Sequence, residues 1–215
     1  MVTKVLIVDD HPSVREGLAV CIAAQSDMGV CGEAADIPQA MELARTTAPD
    51  VAIIDIQLKT GNGLDLIERL RAHNKAIRIL VWSMYPDAIY AQRALRAGAL
   101  GYINKECTTG RIVEAIRRVI AGKIYLAEET TELLLGQEIS GNKAGKPAGV
   151  ESLTNRELEV FRLIGQGLAT SQIAQRLRRS THTVEAHRQG IKRKLTLKTA
   201  AELHRAAVQW TLENG

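Results

Sequence analysis

The sequence predicts a doubly wound, parallel five-stranded α/β sheet followed by a small all-α domain. Three observations carry that expectation. Short apolar runs alternate with amphipathic segments five times across residues 4–121, and parallel strands require crossovers of helical length. Residues 136–149 then hold four glycines, a proline and one large apolar residue, too little apolar surface to offset the ordering of their backbone. Beyond them the apolar spacing is helical throughout, without a strand signal.

The elements follow in order. Residues 4–8, 51–54 and 77–82 are short, β-branched and nearly continuous in apolar character, as strands covered on both faces are. Residues 30–34 and 100–103 carry the same signal more weakly. Helical patterns fill the intervals at 13–24, 38–46, 64–72, 87–97 and 110–121, and a further helix at 128–135 leads into the glycine-rich stretch. After it, Thr154 with Glu157 forms a capping box for a helix whose apolar side carries Leu158, Phe161 and Leu163. A short helix spans 171–177. Ser180 caps a third, with Val184, Ile191 and Leu195 on one face. A fourth covers about 199–211. There is no internal repeat.

Composition narrows the function. The 215 residues are 24% charged and 46% hydrophobic, and no apolar run approaches the roughly 18 residues of a membrane span, so neither an integral membrane protein nor a wholly disordered chain is expected. No secretory pattern opens the sequence. Cys21, Cys31 and Cys107 are odd in number and widely spaced, which reads as reduced thiols of a cytoplasmic protein. The net charge of +4 is unevenly spread: residues 1–145 carry 16 basic against 18 acidic side chains, residues 146–215 carry 12 against 6. A basic module behind a mildly acidic one points to nucleic acid.

Ligands of an open parallel sheet bind beyond the carboxyl ends of its strands. Asp9 and Asp10 follow the first strand, Asp55 the third, Ser83 ends the fourth and Lys105 follows the fifth. Three converging carboxylates call for a hard divalent cation such as Mg²⁺. Acids, cation, hydroxyl and ammonium together can receive a phosphoryl group, with Asp55 as nucleophile. A phosphohydrolase forming an aspartyl-phosphate would want a second acid two residues on, where Gln57 stands. A regulator whose first domain only dimerises is a further alternative, against which the intact acid set argues.

Residues 3–121 resemble the receiver domain of bacterial two-component response regulators. The resemblance rests on Val5-Leu6-Ile7-Val8-Asp9-Asp10-His11, Asp55, Gly61-Asn62-Gly63-Leu64, Ser83, Ala97-Gly98-Ala99 and Gly101-Tyr102-Ile103-Asn104-Lys105. It implies a flavodoxin-like fold in which Asp55 accepts phosphate from a sensor histidine kinase. It also implies that Asp10, Asp55 and the main-chain carbonyl of Gln57 hold Mg²⁺, with Asp9 assisting through water. Ser83 and Tyr102 would be the switch pair, with Lys105 on the phosphate. Such a chain is a phosphoacceptor able to dephosphorylate itself, not a dedicated enzyme. Where the family often has proline, four residues after the acceptor, this sequence has Lys59, a cation either beside the site or facing solvent.

Residues 151–213 resemble the LuxR-type helix-turn-helix output domain of the same regulators, the NarL/FixJ-like group. The quoted residues are Leu153 to Val160, Ile173-Ala174, Leu177, Ser180 to Arg188 and Lys194-Leu195. The helix from Thr181 would enter the major groove of double-stranded DNA. With Val184, Ile191 and Leu195 on the core face, His182, Glu185, Ala186 and Gln189 turn toward base edges. His187, Arg188, Lys192 and Lys194 flank the groove and reach phosphates. Gly190 inside this helix costs roughly 1 kcal/mol against alanine; either backbone passes close there or the helix is locally soft. The resemblance implies a homodimer on DNA that pairs through Ala200, Ala201, His204 and Arg205, and RNA polymerase as a further partner; no membrane is implied. The implied division is a receiver at 1–124, a linker helix and flexible linker at 125–150, and the DNA-binding domain at 151–215. Phosphorylation would act either by uncovering the recognition helix or by pairing receivers.

Overall fold

The computed structural model describes residues 2–58, 61–106, 109–139 and 149–214. They form two compact units, Met1–Gly136 and Gln137–Gly215. No helix among the described residues is long and apolar enough to cross a membrane.

The first unit runs β1 (Thr3–Val8), α1 (Pro12–Ala23), β2 (Met28–Ala34), α2 (Ile37–Thr47), β3 (Val51–Ile54), β4 (Gln57–Leu58), β5 (Gly61–Asn62), α3 (Gly63–His73), β6 (Arg78–Ser83), α4 (Asp87–Ala97), β7 (Gly101–Asn104), α5 (Thr109–Ile120) and the greater part of α6 (Glu128–Ile139), which crosses the boundary after Gly136. Five strands make one parallel sheet in the order β2-β1-β3-β6-β7. The doubly wound five-stranded fold expected from the sequence is therefore present. Its central strands read as unbroken apolar runs because helices cover both faces: Val5, Leu6, Ile7, Val51, Ala52 and Ile54 are fully buried. Leu18, Ile22, Ile112, Ile116 and Val119 from α1 and α5 close the core on one side.

The chain order reverses between β1 and β3, so their carboxyl ends open a crevice. Asp55 N–H still donates to Val8 O at 2.9 Å, so the ladder holds the two acidic loops side by side. α3 starts directly below the Asp55 loop. Gly63 N–H donates to Ile56 O at 2.7 Å, and a Cβ at Gly63 would lie 2.1 Å from the Asp55 carbonyl; only glycine permits that approach. Asn62 caps α3 by accepting from Leu64 N–H at 2.9 Å.

Two features carry no sequence signal. β4 and β5 pair as a two-stranded antiparallel sheet beside Asp55; Lys59, between them, lies outside the described residues. Past α5 the chain returns to the outer edge of β7. Tyr102 N–H donates to Tyr125 O at 2.9 Å and Tyr125 N–H to Leu100 O at 3.0 Å, which covers an edge strand that would otherwise stand open. α6 begins just beyond, at the place expected for the linker helix. The flexible linker expected from the sequence falls on residues that include 140–148, which lie outside the described residues.

The second unit has a 3₁₀ turn (Gly149–Ser152), then α7 (Asn155–Gly165), α8 (Thr170–Leu177), α9 (Thr181–Lys194) and α10 (Ala200–Asn214). The expected capping box opens α7: Thr154 Oγ1 accepts from Glu157 N–H at 3.2 Å and Glu157 Oε2 from Thr154 N–H at 2.7 Å. Leu158, Phe161, Ile164, Ile173, Val184, Ile191, Leu203 and Ala207 form its core, with Phe161 tilted against Trp210.

Candidate functional site

The strand ends bring together the residues that the sequence singled out. Asp9 and Asp55 are almost fully buried, as is Ser83. Lys105 Nζ donates to Asp9 Oδ2 and to Asp55 Oδ2, each at 2.6 Å. Ser83 Oγ donates to Asp55 Oδ1 at 2.7 Å, and Gln57 N–H reaches the same oxygen at 3.3 Å. Both Asp55 oxygens are thus held, one by a hydroxyl and one by an ammonium.

Burial pushes the Asp55 carboxyl above the usual carboxylate range, and Lys105 and Ser83 offset only part of that. Lys105 loses solvation too, but Asp55 and Asp9 outweigh the loss and raise its pKa, so it stays an ammonium. Tyr102 is fully buried, which lifts its phenol well above the ordinary value. Its hydroxyl donates to Tyr85 O at 2.8 Å, so the side chain lies inward against the β6–α4 loop.

Asp9, Asp10, His11 and Asp55 each offer a ligand atom within 4.8 Å of the others. His11 was quoted in the sequence motif but not as a site residue. Its Nδ1 lies 3.3 Å from Asp9 Oδ1 as a hydrogen bond. It stands 2.9 Å from Asp10 Oδ1 without hydrogen-bond geometry, leaving that buried oxygen with no hydrogen-bond partner. A pocket of about 390 Å³ opens above the acids, lined by His11, Gln57, Trp82, Met84, Tyr85 and Lys105 among others. Tyr85 Oη donates to Gln57 Oε1 at 3.1 Å across it. Sequence reasoning missed Trp82 and Tyr85, although Trp82 precedes Ser83 at the strand end and Tyr85 follows it by two residues.

In the second unit α8 and α9 are separated by three residues, Arg178 to Ser180, and Ser180 caps α9 by accepting from Thr183 N–H at 3.0 Å. This is the helix-turn-helix connection. On α9, His182, Glu185, Ala186 and Gln189 are exposed, and His187, Arg188 and Lys192 are half-buried. Glu185 is paired with Arg188 at 3.3 Å and accepts from Gln189 at 3.1 Å. Lys194 has a partner inside the unit: its Nζ donates to Glu157 Oε2 at 2.6 Å. Gly190 is explained by the same carboxylate, because a Cβ there would lie 2.5 Å from Glu157 Oε1. A side-chain carboxylate lying against the helix, neither passing backbone nor local softness, is the reason for that glycine. Ala200, Ala201, His204 and Arg205 are all exposed on α10; the last three line a shallow groove with Val208 and Leu212.

A doubly wound unit with an acid–lysine pocket, joined to a helix-turn-helix unit, is the make-up of a DNA-binding regulator controlled through its first domain. The model of the response regulator receiver domain matches residues 5–117, and that of the bacterial regulatory proteins of the luxR family matches residues 151–207. The nitrate/nitrite response regulator protein NarL of Escherichia coli (strain K12) is 33% identical over 198 residues, 92% of this chain and 91% of that protein. The oxygen regulatory protein NreC of Staphylococcus carnosus (strain TM300) is 35% identical over 206 residues, 93% and 94% of the two chains. Among solved structures, a two-component response regulator of the LuxR family from Aurantimonas sp. SI85-9A1 is 31% identical, with a TM-score of 0.60 over 65% of this chain and 99% of that one. The chain belongs to the response regulators that join a receiver domain to a LuxR-type DNA-binding domain and control transcription.

Proposed function

We propose that Asp55 accepts a phosphoryl group from a sensor histidine kinase and that the phosphorylated protein acts on double-stranded DNA through α9. The observation that carries this reading is the grip on Asp55: a hydroxyl on one oxygen, an ammonium on the other, and an open pocket above both. A carboxylate oxygen of Asp55 attacks phosphorus, the P–N bond of the phosphohistidine breaks, and the imidazole nitrogen leaves with the electron pair. Ser83 and Lys105 then turn from the carboxylate to the phosphoryl oxygens, the hydroxyl donating and the ammonium neutralising charge. Withdrawal of Ser83 from Asp55 is what Tyr102, buried beside the same loop, reports as the second member of the switch pair. Water attack on the acyl phosphate returns the free acid, so the protein dephosphorylates itself.

Mg²⁺ fits this pocket. Oxygen donors dominate it, and the buried Asp10 Oδ1 has no hydrogen-bond partner, which a hard cation would satisfy. Asp10, Asp55 and the Gln57 carbonyl would hold the ion, with Asp9 through water. When bound it neutralises the oxygens of the transferring group.

On the DNA side, His182, Glu185, Ala186 and Gln189 face base edges, while His187, Arg188 and Lys192 serve phosphates. Lys194 is the weakest of that set, because Glu157 already holds it. One short helix reads few base pairs, so two copies pair through Ala200, Ala201, His204 and Arg205 on a two-fold site. RNA polymerase is the further partner, and the working compartment is the cytoplasm. The test is intact mass after incubation with acetyl phosphate and Mg²⁺: the wild type gains about 80 Da, one phosphoryl group, and Asp55→Asn does not. A gain by Asp55→Asn refutes the assignment.

A further inference from the structure

Lys105 is held from three sides, and only two of them are carboxylates. Its Nζ lies over the Trp82 ring, 5.6 Å from the centroid, within the range at which an aromatic face attracts a cation. An ammonium has three donors; Asp9 and Asp55 take two, and the remaining side faces the indole. Trp82 precedes Ser83 on β6, and its ring packs on the core formed by α1, α5 and the sheet, so the wall it offers is rigid. Its Nε1 is buried with no hydrogen-bond partner. An orphaned donor is a cost that leucine would not bear, so the ring face is the property that accounts for tryptophan here.

We infer that Trp82 is a positioning residue for phosphoryl acceptance: its face keeps the Lys105 ammonium at the mouth of the pocket while the ammonium passes from the Asp55 carboxylate to the incoming phosphoryl oxygens. This rests on the reading of Asp55 given above. A lysine stem has four rotatable carbons and a strongly hydrated head. Without a wall behind it, the ammonium would be held by Asp9 alone while Asp55 becomes an acyl phosphate and its charge moves outward.

The full chain is assayed for its rate of mass gain with acetyl phosphate and Mg²⁺. Trp82→Leu is expected to slow acceptance about fivefold, the size of a partly desolvated cation–π contact. Trp82→Phe, which keeps a ring face and drops the orphaned donor, is expected to stay within about twofold of the wild type. In a Lys105→Met background, Trp82→Leu should slow nothing further, because there is no ammonium to position. A merely structural role would slow both backgrounds alike. A second readout does not depend on phosphorylation: with Trp210→Phe leaving Trp82 as the one tryptophan, Lys105→Met should alter its emission. Equal rates for Trp82→Leu and the wild type, or equal slowing in both backgrounds, overturns the inference. If the wild type takes up no phosphoryl group, the reading of Asp55 fails first, and unchanged Trp82 emission then removes the contact as well.

Discussion

Gly190→Ala is expected to destabilise the DNA-binding unit, against what helix propensity alone dictates. Alanine in a helix interior is worth about 1 kcal/mol over glycine. Here the new methyl would lie 2.5 Å from Glu157 Oε1 and 3.5 Å from its Cδ. The carboxylate is not the loose end of a flexible chain: its other oxygen accepts from Thr154 N–H at 2.7 Å and from Lys194 Nζ at 2.6 Å. Moving it weakens a helix cap worth about 1 kcal/mol and strains a packed site at about 1–3 kcal/mol. The balance is a loss of about 1–3 kcal/mol, which in a unit of this size lowers the melting temperature by roughly 5–25 °C. Trp210, packed on Phe161 in the same unit, follows the transition by fluorescence. In a Glu157→Ala background the methyl has room, so the same substitution should turn neutral or stabilising. Stabilisation by Gly190→Ala in the wild type would refute the close-approach explanation.

Two further outcomes follow from the geometry. Burial raises the Glu157 carboxyl, but Lys194 and Thr154 outweigh it and leave its pKa below the ordinary 4.5. A depressed folded-state pKa gives stability that is present above the unfolded value and is lost as pH falls through the folded one. Urea midpoints of wild type and Glu157→Gln, measured down a pH series, should therefore converge below about pH 4.5; a gap that stays constant to pH 3 would count against the ion pair. Tyr125→Pro removes the N–H that Leu100 O accepts and is expected to cost the receiver about 1–3 kcal/mol, read from unfolding at Trp82, with mass gain at Asp55 retained; an unchanged midpoint would mean that the β7 edge needs no cover.

How much of this was legible depended on whether the determining contact was local. β1, β3 and β6 announced themselves because strands covered on both faces must be apolar at every position. β2 was legible only from Val30 although it begins at Met28: as an edge strand it is half-buried, and its pairing slips by one residue between Val5 and Leu6, which blurs any period. β4, β5 and the Tyr125 bridge are made by main-chain groups in segments too short for a side-chain pattern. In the pocket, Asp9, Asp10, Asp55, Ser83 and Lys105 were readable because each ends a strand, and strand ends meet at the switch point by topology alone. What they hold was not readable: Trp82 behind Lys105 and Tyr85 across from Gln57 depend on side-chain directions at the rim.

Glu157 shows where the boundary falls. Its bond to Thr154 spans three residues and follows from spacing, so the capping box could be expected from four letters of sequence. Its bond to Lys194 spans 37 residues, and its exclusion of a side chain at position 190 crosses the same gap between α7 and α9. One buried carboxylate therefore constrains three other positions, only one of them locally. Lys194 read as a phosphate contact because a basic residue near a groove-facing surface is, taken alone, a binding residue; its distance from Glu157 gives it a fold-holding task besides. Gly190 stayed open between passing backbone and a soft helix because its determining neighbour is 33 residues away. Both belong to one arrangement that pins the far end of α9 to the start of α7, so the helix proposed to face DNA is held at its cap by Ser180 and near its end by Glu157. A recognition helix fixed at both ends presents its exposed side chains at a set angle, and that rigidity is what lets base contacts discriminate.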